Sequence, residues 1–205
     1  MQHEITPEFS KVLGPSRLEN FNQYRHSVYG LDAAFNLAYL NCAWFEFASQ
    51  NGSDRFDVSA WSLGKNIFTC IPDTLLPFYQ KFFNTALTLA PDSSVTPMRA
   101  EYECSSPELY RKFAMHLYPL GKDGIVVAHS LLVEEIHALD NKHKFDANNY
   151  LNHNGSILQC ANCRRVKNLK TPQQWDWVPH YVENPAPSVS HGVCDLCANH
   201  YYLAS

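Results

Sequence analysis

Charged residues are scarce in this chain: Asp, Glu, Lys and Arg make up 18% of its 205 residues. With 45% hydrophobic and 13% aromatic residues beside them, that share excludes disorder throughout and leaves enough apolar mass for a real core. Long apolar runs are also missing. No stretch approaches the roughly 18 or more uncharged apolar residues of a membrane-spanning helix. The opening residues, MQHEITPEFSKVLG, have neither the basic start nor the apolar stretch of a signal peptide. The expectation is a soluble, cytoplasmic protein with no membrane partner, in a reducing compartment where clustered cysteines serve metal or redox chemistry rather than disulfides. A positive balance is lacking as well. Lys and Arg number 16 against 20 Asp and Glu, and a net charge of −4 argues against general nucleic-acid binding. Catalytic signatures are absent: there is no GxGxxG, P-loop, GxSxG or HExxH. The neighbouring acids Glu134-Glu135 and Glu101/Glu103 read as solvated carboxylates on strands. The chain is not expected to be an enzyme.

What is present is a cysteine pattern. Cys160-Ala-Asn-Cys163 and Cys194-Asp-Leu-Cys197 are two CxxC knuckles with thirty residues between them. A two-residue spacer turns both sulfurs of a pair toward one point, and two pairs supply the tetrahedron that Zn²⁺ accepts. The pattern is similar to a zinc ribbon with a long loop. Four thiolates leave no open position, so the zinc is structural; a redox dithiol pair is the competing reading. His191 is an alternative ligand or a donor to a thiolate. Arg164, Arg165 and Lys167 follow the first knuckle and would offset the −2 charge of a zinc–tetrathiolate. Cys42, Cys70 and Cys104 stand alone and read as ordinary buried residues.

Along the chain, residues 1–26 form an N-terminal arm or helix. Ser27–Leu31 and Leu37–Leu40 read as strands around a turn at Asp32–Asn36. Asn41 is placed to cap an aromatic helix that ends at Asn51–Gly52, and residues 53–72 have no clear period. Leu75, Phe78, Tyr79, Phe82, Phe83, Ala86 and Leu87 recur at helical spacing over Thr74–Leu89. After a loop at Pro91–Pro97, Met98–Cys104, Lys112–Leu120 and Ile125–Val133 read as three strands, the last apolar on both faces. The expected fold class is α+β: an antiparallel five-stranded sheet with flanking helices over residues 27–133. A polar connector (134–155) and a small zinc-ribbon-like module (156–205) complete it.

These segments resemble bacterial PAS-domain sensory proteins. VYGLDAAFNLAYLNCAWFEFA (28–48), SLGKNIFTCIPDTLLPFYQKFF (62–83), YECSSPELYRKFAMHLYPL (102–120) and GIVVAHSLLV (124–133) carry the PAS likeness. CANCRRVKN (160–168), WDWVP (175–179) and SHGVCDLC (190–197) are similar to a cysteine-rich tail found after PAS or receiver domains in bacterial signalling proteins. The resemblance implies a sensor whose sheet and helices enclose a small pocket read by a partner. No effector fits in the remaining residues, so output passes in trans to a signalling protein such as a histidine kinase or response regulator. The alternative class is a zinc-ribbon adaptor for protein or nucleic acid.

Phe47, Phe68, Phe82, Tyr102, Phe113 and Met115 are the candidate pocket lining, for an unidentified small ligand or simply a filled core. Haem lacks a histidine in the 74–89 helix, and a photosensory flavin lacks its cysteine motif, which leaves a non-covalently held flavin or a metabolite as the alternatives. A small organic acid would find Arg99, Arg111 or Lys112 as cationic partners. The doubly apolar strand 125–133 needs cover on both sides of its sheet. A homodimer or docked partner would supply the second cover, unless the arm lies there with Phe9, Val12, Leu13 and Leu18.

Overall fold

The chain begins with a two-residue strand, β1 (Glu4–Ile5), and two short helices, α1 (Pro7–Leu13) and α2 (Pro15–Asn22). Each helix carries proline in its first turn, where the missing N–H has no intrahelical partner to lose. Thr6 caps α1 by accepting the Phe9 N–H at 3.3 Å. The computed structural model describes residues 3–50, 61–90, 98–138, 142–184, 186 and 188–202. The helix stop assigned to Asn51–Gly52, the unpatterned stretch as far as residue 60 and the loop Pro91–Pro97 lie outside those residues.

β2 (Val28–Asp32) and β3 (Leu37–Leu40) form the expected hairpin. Asp32 closes its turn by accepting the N–H groups of Ala34 and Asn36, each at 2.9 Å. Asn41 caps α3 (Cys42–Gln50), its Oδ1 accepting the Trp44 N–H at 2.9 Å. The same oxygen takes the Val28 N–H, and Nδ2 donates to the carbonyls of Phe21, Tyr24 and His26. One buried carboxamide thus ties the end of the arm to β2 and α3. A 3-10 turn at Ile67–Cys70 and helix α4 (Leu76–Leu87) follow, with Pro77 in the first turn of α4.

β4 (Met98–Glu103), β5 (Leu109–Pro119) and β6 (Gly124–Ile136) complete a six-stranded antiparallel sheet in the order β1-β3-β2-β6-β5-β4. The sequence pattern accounts for five of these strands. β1 adds the sixth by pairing with β3, Glu4 opposite Leu40 and Ile5 opposite Tyr39, and two residues are too few to display an alternation. β6 is buried from Gly124 to His129 and exposed from Leu132 to Ile136, so only its first half is central in the expected sense.

The chain divides into two compact units: Met1–Ile71 with Leu76–Ala100 and Met115–Ser130, and Pro72–Leu75 with Glu101–Ala114 and Leu131–Ser205. In the first, the β2–β6 register sets Val28, Gly30 and Asp32 beside Ala128, Val126 and Gly124 on one face, and Tyr29 and Leu31 beside Val127 and Ile125 on the other. Phe9 and Leu13 of α1 cover the first face, packed with Val28, Ala38, Tyr39, Val126 and Ala128 and flanked by Leu18 and Phe21 of α2. The arm therefore supplies the cover that the doubly apolar strand requires, although Val12 stays outside at 36% exposure.

In the second unit, α5 (Ala147–Tyr150), β7 (Ile157–Cys160), β8 (Val166–Lys167), β9 (Trp175–Asp176), α6 (His180–Glu183), β10 (Val189–Gly192) and α7 (Asp195–Cys197) follow β6. A four-stranded sheet runs β10-β7-β8-β9, with β10 parallel to β7. Tyr150, Ile157, Val166, Val178 and Tyr181 form its apolar core. The buried Asp176 carboxyl group accepts from Tyr150 at 2.9 Å, Asn168 at 2.8 Å and Gln174 at 2.7 Å, which satisfies polar atoms that burial would otherwise leave unpaired.

Candidate metal centre

The first cysteine pair sits in the turn between β7 and β8. Cys160 ends β7 and its N–H donates to the Arg165 carbonyl at 2.8 Å. The Arg164 N–H returns to the Cys160 carbonyl at 2.9 Å, and Arg164 takes the left-handed conformation at φ 62° to close the loop. The second pair follows β10 and is carried into the short helical turn α7, with Cys194 just before it and Cys197 as its last residue. Sequence spacing alone suggests two like knuckles of a zinc ribbon, whereas the structure has one hairpin turn and one helical turn.

Parallel pairing brings the two together. Gly192 lies opposite Cys160, and the Ala161 N–H donates to the Gly192 carbonyl at 2.8 Å. All four cysteines are buried, and their sulfurs lie within 4.8 Å of one another. Cys163 Sγ and Cys194 Sγ are 3.7 Å apart. A tetrahedron with metal–sulfur bonds of about 2.3 Å has edges of about 3.8 Å, so the donor set fits a metal ion of zinc's size. The four can hold a metal ion.

The thiols respond to this crowding. Hydrogen bonding from Cys163, then from Cys194 and Cys197, holds the Cys160 thiol far below its ordinary range. Shared protons with Cys160 push Cys163 and Cys197 far above theirs. Four sulfurs this close cannot all ionise unless a cation joins them.

Contacts across the cage brace it. The Cys194 N–H points at Cys160 Sγ at 3.4 Å. Asn162 Nδ2 donates to Cys197 Sγ at 3.3 Å, and its Oδ1 accepts from the Tyr202 hydroxyl at 2.9 Å. Trp175, Val193, Tyr201 and Tyr202 pack around the sulfurs. Of the three basic residues nominated to balance the thiolates, Arg165 does so. Burial opposes its charge, but Cys163 and Glu103 outweigh that and raise it above the ordinary guanidinium value. Lys167 instead lies 5.7 Å over the Trp175 ring, and the Arg164 carbonyl accepts from Gln159. His191 is exposed on β10 opposite Gln159 and is not one of the clustered ligands.

Other sequence assignments change. Glu103 is not solvated: its side chain is 10% exposed, with Arg165 Nη1 and the Tyr201 hydroxyl each 3.4 Å from the carboxylate. Burial pushes its carboxyl upward, against the pull of Arg165. Cys42, Cys70 and Cys104 are half-buried rather than buried, since they sit at the edges of α3, the 3-10 turn and β4. Two of the cations nominated for an acid ligand are committed to ion pairs, Arg111 with Glu134 at 2.7 Å and Lys112 with Glu101 at 2.5 Å.

The six nominated lining residues are divided. Phe47, Phe68, Phe82 and Met115 belong to the first unit, Tyr102 and Phe113 to the second. Phe68 and Phe82 both meet Phe83, at 6.0 and 6.2 Å between ring centres, and Phe35 at the β2–β3 turn joins them at 5.1 Å from Phe68. Tyr102 and Phe113 stack at 5.6 Å. Phe35 and Phe83 escaped the sequence reading as lining, Phe35 because it stands in a turn. A cavity of about 240 Å³ also lies in the first unit, lined by residues that include Thr6, Phe9, Leu37 and Ala38.

No protein-family model matches the chain, and no curated protein matches it. Among the described residues, no helix is long and apolar enough to cross a membrane.

Proposed function

We propose that the chain is a sensory module of the PAS kind, stapled by a structural zinc ion on Cys160, Cys163, Cys194 and Cys197, that passes its signal to a partner protein in trans. The zinc assignment is carried by four buried sulfurs within 4.8 Å of one another, a spacing that suits a tetrahedral site. Zinc there joins two chain segments and neutralises thiolates; Arg165 offsets remaining charge, and Asn162 donates a hydrogen bond to Cys197 Sγ. The sensory assignment is supported by the order of elements. A hairpin (β2–β3), then helices α3 and α4, then three consecutive strands returning to pair β6 with β2, follow the pattern the resemblance implies. Any ligand belongs among the aromatic residues between hairpin and α4, where Phe35, Phe68, Phe82 and Phe83 cluster.

Native mass spectrometry of protein purified under reducing conditions tests both parts. The expected mass includes one zinc per chain, and a retained small molecule would identify the sensory ligand. Cobalt substitution should give the absorption of an all-sulfur tetrahedral site. Metal-free protein whose C-terminal residues stay fully folded would overturn the zinc assignment in favour of a thiol redox site.

A further inference from the structure

Both halves of the cysteine cage lead to one carboxylate. Arg165 stands two residues after Cys163 and Tyr201 four residues after Cys197. Arg165 Nη1 reaches Glu103 Oε2 and the Tyr201 hydroxyl reaches Glu103 Oε1, each at 3.4 Å. The Tyr201 ring also receives Lys112 of β5, whose ammonium lies 5.9 Å from the ring centre. Lys112 in turn pairs with Glu101 of β4. The residues flanking the cage therefore hold the C-terminal end of β4 from two directions.

β4 is the last strand of its sheet. Paired on one side only, an edge strand is among the first parts of a sheet to open locally. Hydrogen bonds at 3.4 Å are at the long end of the bonding range, so a shift of a few tenths of an ångström in either knuckle breaks them. We propose that Glu103 couples metal occupancy to β4: with the cage loaded, Arg165 and Tyr201 pin the strand end, and with the metal removed they release it. This rests on the zinc reading above. It makes the cysteine module a part that governs the order of a sheet edge, and with it the surface that edge offers, beyond serving as a staple for its own fold.

Hydrogen exchange of the full chain, read by peptide and combined with metal analysis of the same samples, tests the coupling. In the unaltered protein, chelation under reducing conditions should speed exchange across Glu101–Cys104 by about tenfold or more, while β2 stays protected. The double variant Glu103→Gln, Tyr201→Phe should retain one zinc, exchange fast in that segment when loaded, and gain nothing further on chelation. Zinc bound at one equivalent with β4 indifferent to its removal overturns the coupling alone. A loaded double variant with β4 as protected as in the unaltered protein overturns it too. Failure to find zinc before chelation overturns the metal reading and the coupling together.

Discussion

Asn162 is the clearest case of a side chain whose role lies in its partner. It stands in the spacer of the first knuckle and is buried, yet the sulfur it donates to belongs to Cys197 of the second. Such outer contacts typically change metal affinity 10–100-fold when removed. With the proposed zinc in the cage, Asn162→Ala should therefore release it to a competing chelator about ten times faster or more, and Tyr202→Phe, which loosens Asn162 without removing it, by less. Unchanged release rates in both would mean that the bond braces nothing. The four cysteines were legible in sequence because their chemistry is local, two residues apart within each pair. Asn162 and Glu103 were not, since their partners lie 35 and 62 residues away and nothing in the local pattern marks them.

Elements were readable where the sequence carries a pattern. β2 and β3 are short apolar runs buried on both faces, α4 has a stripe that buries Phe83 and Ala86, and α3 is marked by its Asn41 cap and aromatic residues although none of its side chains is fully buried. β10 was missed because it is short and parallel to β7, with Val189 and Gly192 half-buried and Ser190 and His191 exposed. The fit of α1 on the sheet depends on what β2 lacks. A Cβ at Gly30 would meet the Phe9 ring and the Tyr39 side chain, so the phenyl group packs where the strand has no side chain. Gly30→Ala should destabilise the protein by about 1–3 kcal/mol through overpacking. Adding Phe9→Leu should recover part of that loss, since the two sites are in contact and couple. Denaturant titration of the two single variants and the double variant measures it, and strict additivity would contradict the contact.

At the scale of the molecule, pH acts through a buried imidazole. His129 packs 5.6 Å from the Tyr29 ring. Burial first, then His116 and His26, lowers it from 6.5 to about 4. Between those two values the unfolded chain binds the proton that the folded one refuses, so stability is full above about pH 6.5 and falls as pH drops toward 4. The loss from pH 7 to pH 5 is about 2 kcal/mol from this group. His129→Gln should flatten the pH dependence of urea unfolding by that amount, and an unchanged slope would show that His129 titrates normally. The cysteine site carries another consequence. Because β10 pairs with β7 in parallel, Gly192 opposite Cys160, the position of the second pair depends on how the strands are aligned. A slip of one residue would carry Cys194 about 3.3 Å along the strand. Metal–ligand distances tolerate only about 0.2 Å, so a slipped pairing cannot complete the cage. Capture of the proposed metal would then be a form of proofreading, in which only the correctly aligned strands are locked in place.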